Sequence, residues 1–371
     1  QFDVFGTPYQ YRSNYSYNGD MWYGPISDQP SWFGTNRWIS YKTTINRLAN
    51  HNLSWPKVFQ TDLGIDFDFL SLFSFKVNAY YKKIYDSIVN ISPIIPGVYG
   101  LNNISLMDNY TAQSLRGMDV TFGYSQTFGD FRVGASLSAT MYKSIYEKMT
   151  DDNWLYEYQK KTGTPVDAYW GYRCIGKYED EDQLSSVPAI STAVKVGDLK
   201  YEDVNNDGRI DDNDKVNLGN TAPRLSYALN FTFGWKNLEL NVVGTGRAGL
   251  KTAMTNSYFW NGWGDGNYSA FVRDNIGGAY PRLDYVHSDQ NFVGSDFWLR
   301  NGSWFKIQSV ELSYDLNLRP SSWIKGIKFS LKGQNLLTLS GIKDVDPECI
   351  DAGVTSYPLL RSVTGGVKLN F

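Results

Sequence analysis

Long runs of this chain alternate apolar and polar side chains with a period of two, and few folds accommodate that pattern. In 226–233, SYALNFTF, Tyr227, Leu229, Phe231 and Phe233 fall on one side and Ser226, Ala228, Asn230 and Thr232 on the other. Successive strand side chains point to opposite faces, so each such run reads as a strand with one greasy and one polar face. The rhythm recurs. Leu63, Ile65, Phe67 and Phe69 oppose Asp62, Gly64, Asp66 and Asp68, and Met118, Val120, Phe122 and Tyr124 oppose Asp119, Thr121, Gly123 and Ser125. Phe131, Val133, Ala135, Leu137, Ala139 and Met141 oppose Arg132, Gly134, Ser136, Ser138 and Thr140. Leu238, Leu240 and Val242, then Ile327, Phe329 and Leu331, do the same. An all-β chain is expected. Alternation alone fits both a soluble sandwich, apolar face inward, and a membrane barrel, apolar face outward around a wet lumen.

Three features favour the barrel. Tight connections at 70–72, 129–130, 235–237 and 319–325 alternate with long ones at 86–116, 146–223, 251–301 and 341–360. In an up-and-down sheet this puts all long loops at one end, as in outer-membrane barrels; structureless loops of such length are rare in compact soluble domains. The chain ends on an alternating strand, SVTGGVKLNF, closed by Phe371. The strands read as about 10 to 14 residues, which suits tilted membrane strands better than the usual globular length. Aromatics make up 16% of the 371 residues, and such residues favour strands and water–lipid boundaries.

Composition narrows the function. The formal net charge of −3 gives no basic footprint for nucleic acid. No run is long and apolar enough for a membrane helix, which leaves a barrel open. The chain starts at Gln1 without a leader-like segment, so either a leader was removed or the chain is part of something longer. Cys174 and Cys349 have no CxxC spacing; one disulfide and two free thiols both fit. His51 and His287 stand outside any ligand-spaced cluster. No GxSxG, HExxH or P-loop occurs, and an enzyme is not expected.

One segment has metal-ligand spacing. YEDVNNDGRIDDND, 201–214, fits a twelve-residue calcium loop: Asp203, Asn205 and Asp207 at positions 1, 3 and 5, and Gly208 at the sharp turn. Arg209 would offer its backbone carbonyl, Ile210 would pack inward, and Asp211 would act directly or through water. Asp214 takes position 12, where Glu is usual; the shorter Asp lowers the expected affinity and lets Mg²⁺ compete. The alternative is a solvated Asp/Asn turn without an ion. The ion's expected role is structural, in the long extracellular loop 146–223.

Several segments resemble SusC/RagA-type TonB-dependent outer-membrane transporters. GDLKYEDVNNDGRIDDND (197–214) is similar to that family's GDxxYxDxNxDGxID signature, and the following NTAPRLSYALNFTFGWKNLELNVVGTGRAG to its next hairpin. NGSWFKIQSVELSYDL (301–316) and GQNLLTLSGIKDVDPE (333–348) resemble two later elements. LSWPKVFQTDLGIDFDF and VNAYYKKIYD resemble an upstream hairpin, with Pro56 where the family commonly has Glu. The resemblance runs from about Asn52 to Phe371. It implies that residues 1–371 are the C-terminal part of a transmembrane antiparallel β-barrel, ten or eleven strands and about half of a 22-stranded whole, with the plug domain absent from this chain. It further implies the outer membrane of a Gram-negative bacterium and contact with membrane lipid. The remaining strands and plug would come from the same or another chain, energy from TonB through the missing N-terminal region, and a lid from a SusD-like surface lipoprotein.

The expected activity is TonB-dependent import of a glycan or oligopeptide in a SusCD-like complex. The alternatives are a passive porin or surface-binding barrel without energy coupling, and a soluble calcium-dependent sandwich. Loop aromatics at 154–158, 168–172 and 258–268 are candidate ligand contacts, Tyr258, Trp260 and Trp263 foremost; loop packing or an interfacial girdle is the structural alternative. Asp62, Asp66, Asp68 and Asp119 are expected to line water and bond the plug.

Overall fold

The computed structural model describes residues 11–18, 32–33, 38–39, 42–100, 104–151, 156–260, 269–275, 277–283, 288–318, 323–343, 345–350, 357 and 359–371. Trp154, Trp263, Tyr268 and His287 lie outside the described residues. Nine strands make a wall: β1 (Lys57–Phe69), β2 (Phe73–Asn90), β3 (Ser105–Phe128), β4 (Phe131–Lys148), β5 (Leu225–Trp235), β6 (Leu238–Ala248), β7 (Trp304–Asn317), β8 (Gly326–Ser340) and β9 (Ser362–Asn370). Each pairs with its neighbours in sequence, and among the described residues β1 and β9 pair on one side only. The registers from β4 to β9 are antiparallel throughout. From β4 to β9 the pairing is antiparallel, so the tight connections after β5 and β7 join strands at one end and the long connections after β4, β6 and β8 join them at the other.

The register makes the two faces explicit. Phe131, Trp235, Leu238, Tyr314, Phe329 and Val367 stand opposite one another in a row across β4–β9. The next row is Val133, Phe233, Leu240, Leu312 and Leu331, and the one after is Ala135, Phe231, Val242 and Val310. Between them run Arg132, Gly234, Glu239, Ser313 and Ser330, then Gly134, Thr232, Asn241, Glu311, Lys332 and Thr364. The apolar rows are not a sandwich core: Phe231 is 43% exposed, Leu331 54% and Val367 65%. From Phe131 to Met141, at about 3.3 Å per residue and a tilt near 40°, the band is about 25 Å tall, the height of an outer-membrane hydrocarbon band. Aromatics fringe its short-turn end. Phe131 stacks on Trp235 at 6.3 Å, and Trp323 lies 5.0 Å from terminal Phe371. The wall is a section of a transmembrane antiparallel β-barrel.

The sheet has eleven strands, within the expected ten or eleven: Asn14–Asn18 and Lys42–Leu48 pair with each other, and Lys42–Leu48 meets β3 in parallel at Ser105 and Leu106. Strand length exceeds expectation: β2 has 18 residues and β3 has 24, which shrinks the expected 86–116 connection to 91–104. At the start of β3 both side-chain parities are half-buried, so no single exposed apolar face marks the strand there while pairing continues. Likewise the expected loop 146–223 begins only after β4 ends at Lys148.

The chain divides into two compact units. The first is Gln1–Gln60, Lys82–Leu115 and Ile145–Thr164; the second is Thr61–Tyr81, Arg116–Ser144 and Pro165–Phe371. In the first, Asn109 donates to the Ser54 and Asp86 carbonyls, Lys57 pairs with Asp86 at 2.7 Å, and the Lys148 ammonium sits 3.8 Å over the Tyr110 ring. The second holds the membrane band and most of the long connections. In its wall two glycines let rings lie on bare backbone. A Cβ on Gly246 would stand 2.5 Å from Tyr227 Cζ, and one on Gly244 2.7 Å from Phe305 Cζ. Tyr227 and Phe305 stack at 6.1 Å. Glycines within strands let a sheet kink, and a ring lying over a strand glycine helps to pin the register.

Candidate functional site in the long connections

The two buried apolar clusters lie in the connections and not in the wall. One cluster joins Met254, Phe259, Val272, Tyr280, Phe292 and Trp298 to Ile342 and Ile350 from the connection after β8. A second gathers Tyr172, Leu199, Tyr201 and Ile210. Three short ribbons frame them: Cys174–Lys177 with Leu199–Tyr201, Ala168–Gly171 with Val216–Asn220, and Lys251–Ala253 with Leu299–Asn301. The long loops therefore form a folded body with a core of its own.

Buried polar groups stitch the connections together. Asp198 is 1% exposed and accepts from the Lys195 amide at 2.8 Å, Arg282 Nε at 3.1 Å and Asn291 Nδ2 at 2.8 Å. Asn291 Oδ1 takes the Leu199 amide, and Gln290 takes the amides of Ile190 and Ser191 while donating to the Leu199 carbonyl. Tyr201 Oη donates to the Gln290 carbonyl, and Trp298 Nε1 to the Asn291 carbonyl. The buried groups of this network are thus paired, as desolvation demands, whereas the indole N–H of Trp260 is buried without a hydrogen-bond partner among the described residues. Burial pushes the Tyr178 phenol up to about 12 and the Tyr201 phenol further still. Lys177 donates to the Gly278 and Tyr280 carbonyls, with burial lowering its pKa.

One ion cluster ties this body to the wall. Lys306, on the polar parity of β7, is 2% exposed. Its Nζ lies 3.1 Å from Asp346 and 2.5 Å from Glu348, and 5.5 Å over the Trp304 ring. Asp346 and Glu348 belong to the DPE segment singled out in the sequence.

The acidic loop is bracketed by two of the ribbons. Ile210 points inward as expected, into the second cluster at 5% exposed. Asp203 accepts the amides of Asp207 and Gly208 at 3.2 and 2.8 Å, and Asn205 Oδ1 accepts that of Asp207 at 2.9 Å. Asp207 accepts the Arg209 amide at 2.9 Å. Asp211 caps the short helical turn Asp212–Asp214, and Asp214, fully buried, takes the amides of Val204 and Asp211, both at 2.9 Å. Gly208 has φ +81°, the left-handed turn the spacing requires. The donors are hard oxygens suited to Ca²⁺ or Mg²⁺, and an oxygen holding one N–H keeps a second lone pair. Among the described residues, however, no three His, Cys, Asp or Glu side chains converge at metal-holding distance; Asn205 supplies the middle oxygen of the Asp203–Asp207 arc. Beside the loop, burial first and then Asp212, Asp211 and Asp214 raise the Tyr172 phenol to about 12.

Of the foremost aromatic candidates, Tyr258 and Trp260 fall among the described residues. Tyr258 and Trp260 both pack on the first cluster, Trp260 5.9 Å from both Phe292 and Trp298 and Tyr258 5.1 Å from Phe259. Cys174 and Cys349 are unpaired. Sequence reading missed Asp198, Gln290, Asn291 and Lys306. Asp198 lies within the GDLKY stretch already marked, but nothing local announces its partners.

No family model matches the chain. It is similar to TonB-dependent receptor P26 of Formosa agariphila, 24% identical over 366 residues, which are 88% of this chain and 36% of that protein. It is also similar to TonB-dependent receptor P3 of the same bacterium, 21% identical over 372 residues, 87% of this chain and 35% of that one. The chain thus spans about a third of the length of these curated relatives. Among solved structures it superposes on the RagAB peptide transporter with a TM-score of 0.67 at 17% identity, covering 98% of this chain and 38% of that one. The RagAB peptide importer in its open-open state gives 0.65 at 17%, with the same coverage. At this identity the superposition speaks for the fold.

Proposed function

We infer that this chain belongs to the SusC/RagA-type TonB-dependent transporters, barrels of the Gram-negative outer membrane, and its role follows from that reading. The whole protein imports a nutrient, a glycan or an oligopeptide, with energy from TonB. This chain supplies nine strands of its wall and a folded body on the outer rim. The remaining strands and the plug complete the barrel from the same or another chain. A SusD-like surface lipoprotein covers the rim. The observation that carries this reading is the pairing of an outward apolar band with a loop body that has its own core and polar network at one end. A passive pore has less need of so ordered a rim. The experiment is uptake of labelled glycan and peptide pools by cells carrying the intact transporter, with and without TonB. Uptake should vanish without TonB; equal uptake in both strains would assign a passive pore.

Calcium is proposed as a structural ion of the 203–214 loop, held by Asp203, Asn205, Asp207, the Arg209 carbonyl, Asp211 and Asp214, with Mg²⁺ a weaker competitor. It would neutralise carboxylates crowded into one short loop. Chelating calcium from the purified transporter should speed proteolysis within this loop several-fold, and millimolar Ca²⁺ should restore resistance better than Mg²⁺. Unchanged cleavage would mean that the hydrogen bonds of Asp203, Asp207 and Asp214 hold the loop without an ion.

A further inference from the structure

The inward face of the wall changes character toward the rim. The last inward row shared by β4 to β8 is Thr140, Ser226, Arg247, Trp304 and Ser340, each opposite the next. Register shifts beside Gln308 keep Trp304 and Lys306 on this face. The two rows below are hydroxyl and amide side chains, broken only by Ala228, Val243 and Lys306. Lower still, charges pair across strands, Arg132 with Glu239 at 3.7 Å and Lys332 with Glu311 at 3.9 Å. Lys306 is taken up by Asp346 and Glu348. Arg247 differs from all of these. It is exposed, and among the described residues it forms no ion pair. Its guanidinium sits over the Trp304 ring, 5.8 Å from the centroid. Asp346 and Glu348 exceed Lys306 by one negative charge, but they are held on that ammonium and do not reach Arg247 as an ion pair.

We propose that Arg247 binds an anionic group, carboxylate or sulfate, of an acidic oligosaccharide entering the lumen. The proposal rests on the import reading above and narrows its substrate. A guanidinium is always charged, and its fork of N–H donors matches the paired oxygens of an oxyanion. The Trp304 ring attracts the cation and limits its freedom before any ligand arrives, which lowers the cost of binding. The side chains around it fit a sugar. Ser, Thr, Asn and Gln offer both donors and acceptors, and hydroxyl groups need both. A peptide would bring apolar side chains to a face that offers them almost no apolar surface, so their burial would go unrewarded. Arg247 is the one cation in these three rows without a carboxylate on it, so an anion passing the mouth meets it first.

The test probes one printed array of neutral, uronate-bearing and sulfated oligosaccharides and acidic peptides with the intact transporter in detergent. Signal should fall on acidic oligosaccharides, and whether the uronate or the sulfated set carries it names the source of the anion. Arg247→Gln should weaken that signal by about tenfold or more, the scale of a hydrogen bond to a charged group. Arg247→Lys keeps the charge without the fork and should retain part of the signal. Heat-modifiable mobility checks that each variant keeps its wall, and Arg247→Lys carries the comparison if Arg247→Gln does not insert. Equal binding of neutral sugars, a preference for acidic peptides, or no signal on acidic oligosaccharides would overturn the site. So would acidic-oligosaccharide binding that Arg247→Gln leaves unchanged. The import reading fails separately, through uptake that persists without TonB.

Discussion

Lys306→Met should destabilise the rim of the transporter by about 3 kcal/mol, toward the lower end expected when one partner of a buried ion pair is removed. The lysine is 2% exposed while Asp346 and Glu348 are 20% and 33% exposed, so water relieves part of the stranded negative charge. The loss comes from two carboxylates left facing each other beside Trp304, and from release of the 341–350 segment, which carries Ile342 and Ile350 into the first cluster. Limited proteolysis and thermal unfolding of the purified barrel would report it, with cleavage appearing near 341–350 while the wall keeps its resistance to detergent unfolding. Adding Asp346→Asn and Glu348→Gln to Lys306→Met should recover much of the loss, because the penalty lies in uncompensated charge. If Lys306→Met alone behaves as the parent, the triad contributes nothing to holding the rim.

The wall was legible because a period of two survives any single substitution and because the register follows from it. Tyr227, Leu229, Phe231 and Phe233 show their face in the sequence alone, and their partners on β4 and β6 confirm it. The outer parts of β2 and β3 were not legible. Around 105–115, SLMDNYTAQSL, apolar and polar residues do not alternate, so no period of two marks the strand. The loop body was illegible for a different reason. Leu199 is joined to Asn291 and Gln290, about ninety positions away, and no local pattern encodes such a contact. Lys306 reads in sequence like Lys328 and Lys332, which pair loosely with Asp315 at 3.7 Å and Glu311 at 3.9 Å. Only the return of the DPE segment distinguishes it. In the acidic loop the inward Ile210 followed from spacing. The reciprocal cap of Asp211 and Asp214 was also encoded, but its signature overlaps that of a metal ligand set.

Asp198→Ala should be the most damaging single change in the loop body, costing about 3 to 5 kcal/mol, because it strands a largely buried guanidinium. Arg282 is 24% exposed and its partner 1%, and the Asn291 amide and the Lys195 amide lose their acceptor as well. The damage should spread to both clusters. Asn291 also holds Leu199 and Trp298, so one carboxylate organises the 165–223 and 277–298 segments together. Asp198→Asn keeps an acceptor oxygen but loses the charge, and should cost about 1.5 to 3 kcal/mol, the range for hydrogen bonds to charged groups. Arg282→Leu combined with Asp198→Ala should cost less than the two changes summed, since each alone leaves the other's charge unpaired. Thermal unfolding followed by loop-body tryptophan fluorescence would rank these variants, with wall integrity scored separately by heat-modifiable mobility. An Asp198→Ala protein whose loop body unfolds with that of the parent would show that apolar burial alone holds the rim. Trp298 reports on the rim, since it sits inside the first cluster and donates its indole N–H to the Asn291 carbonyl at 2.8 Å.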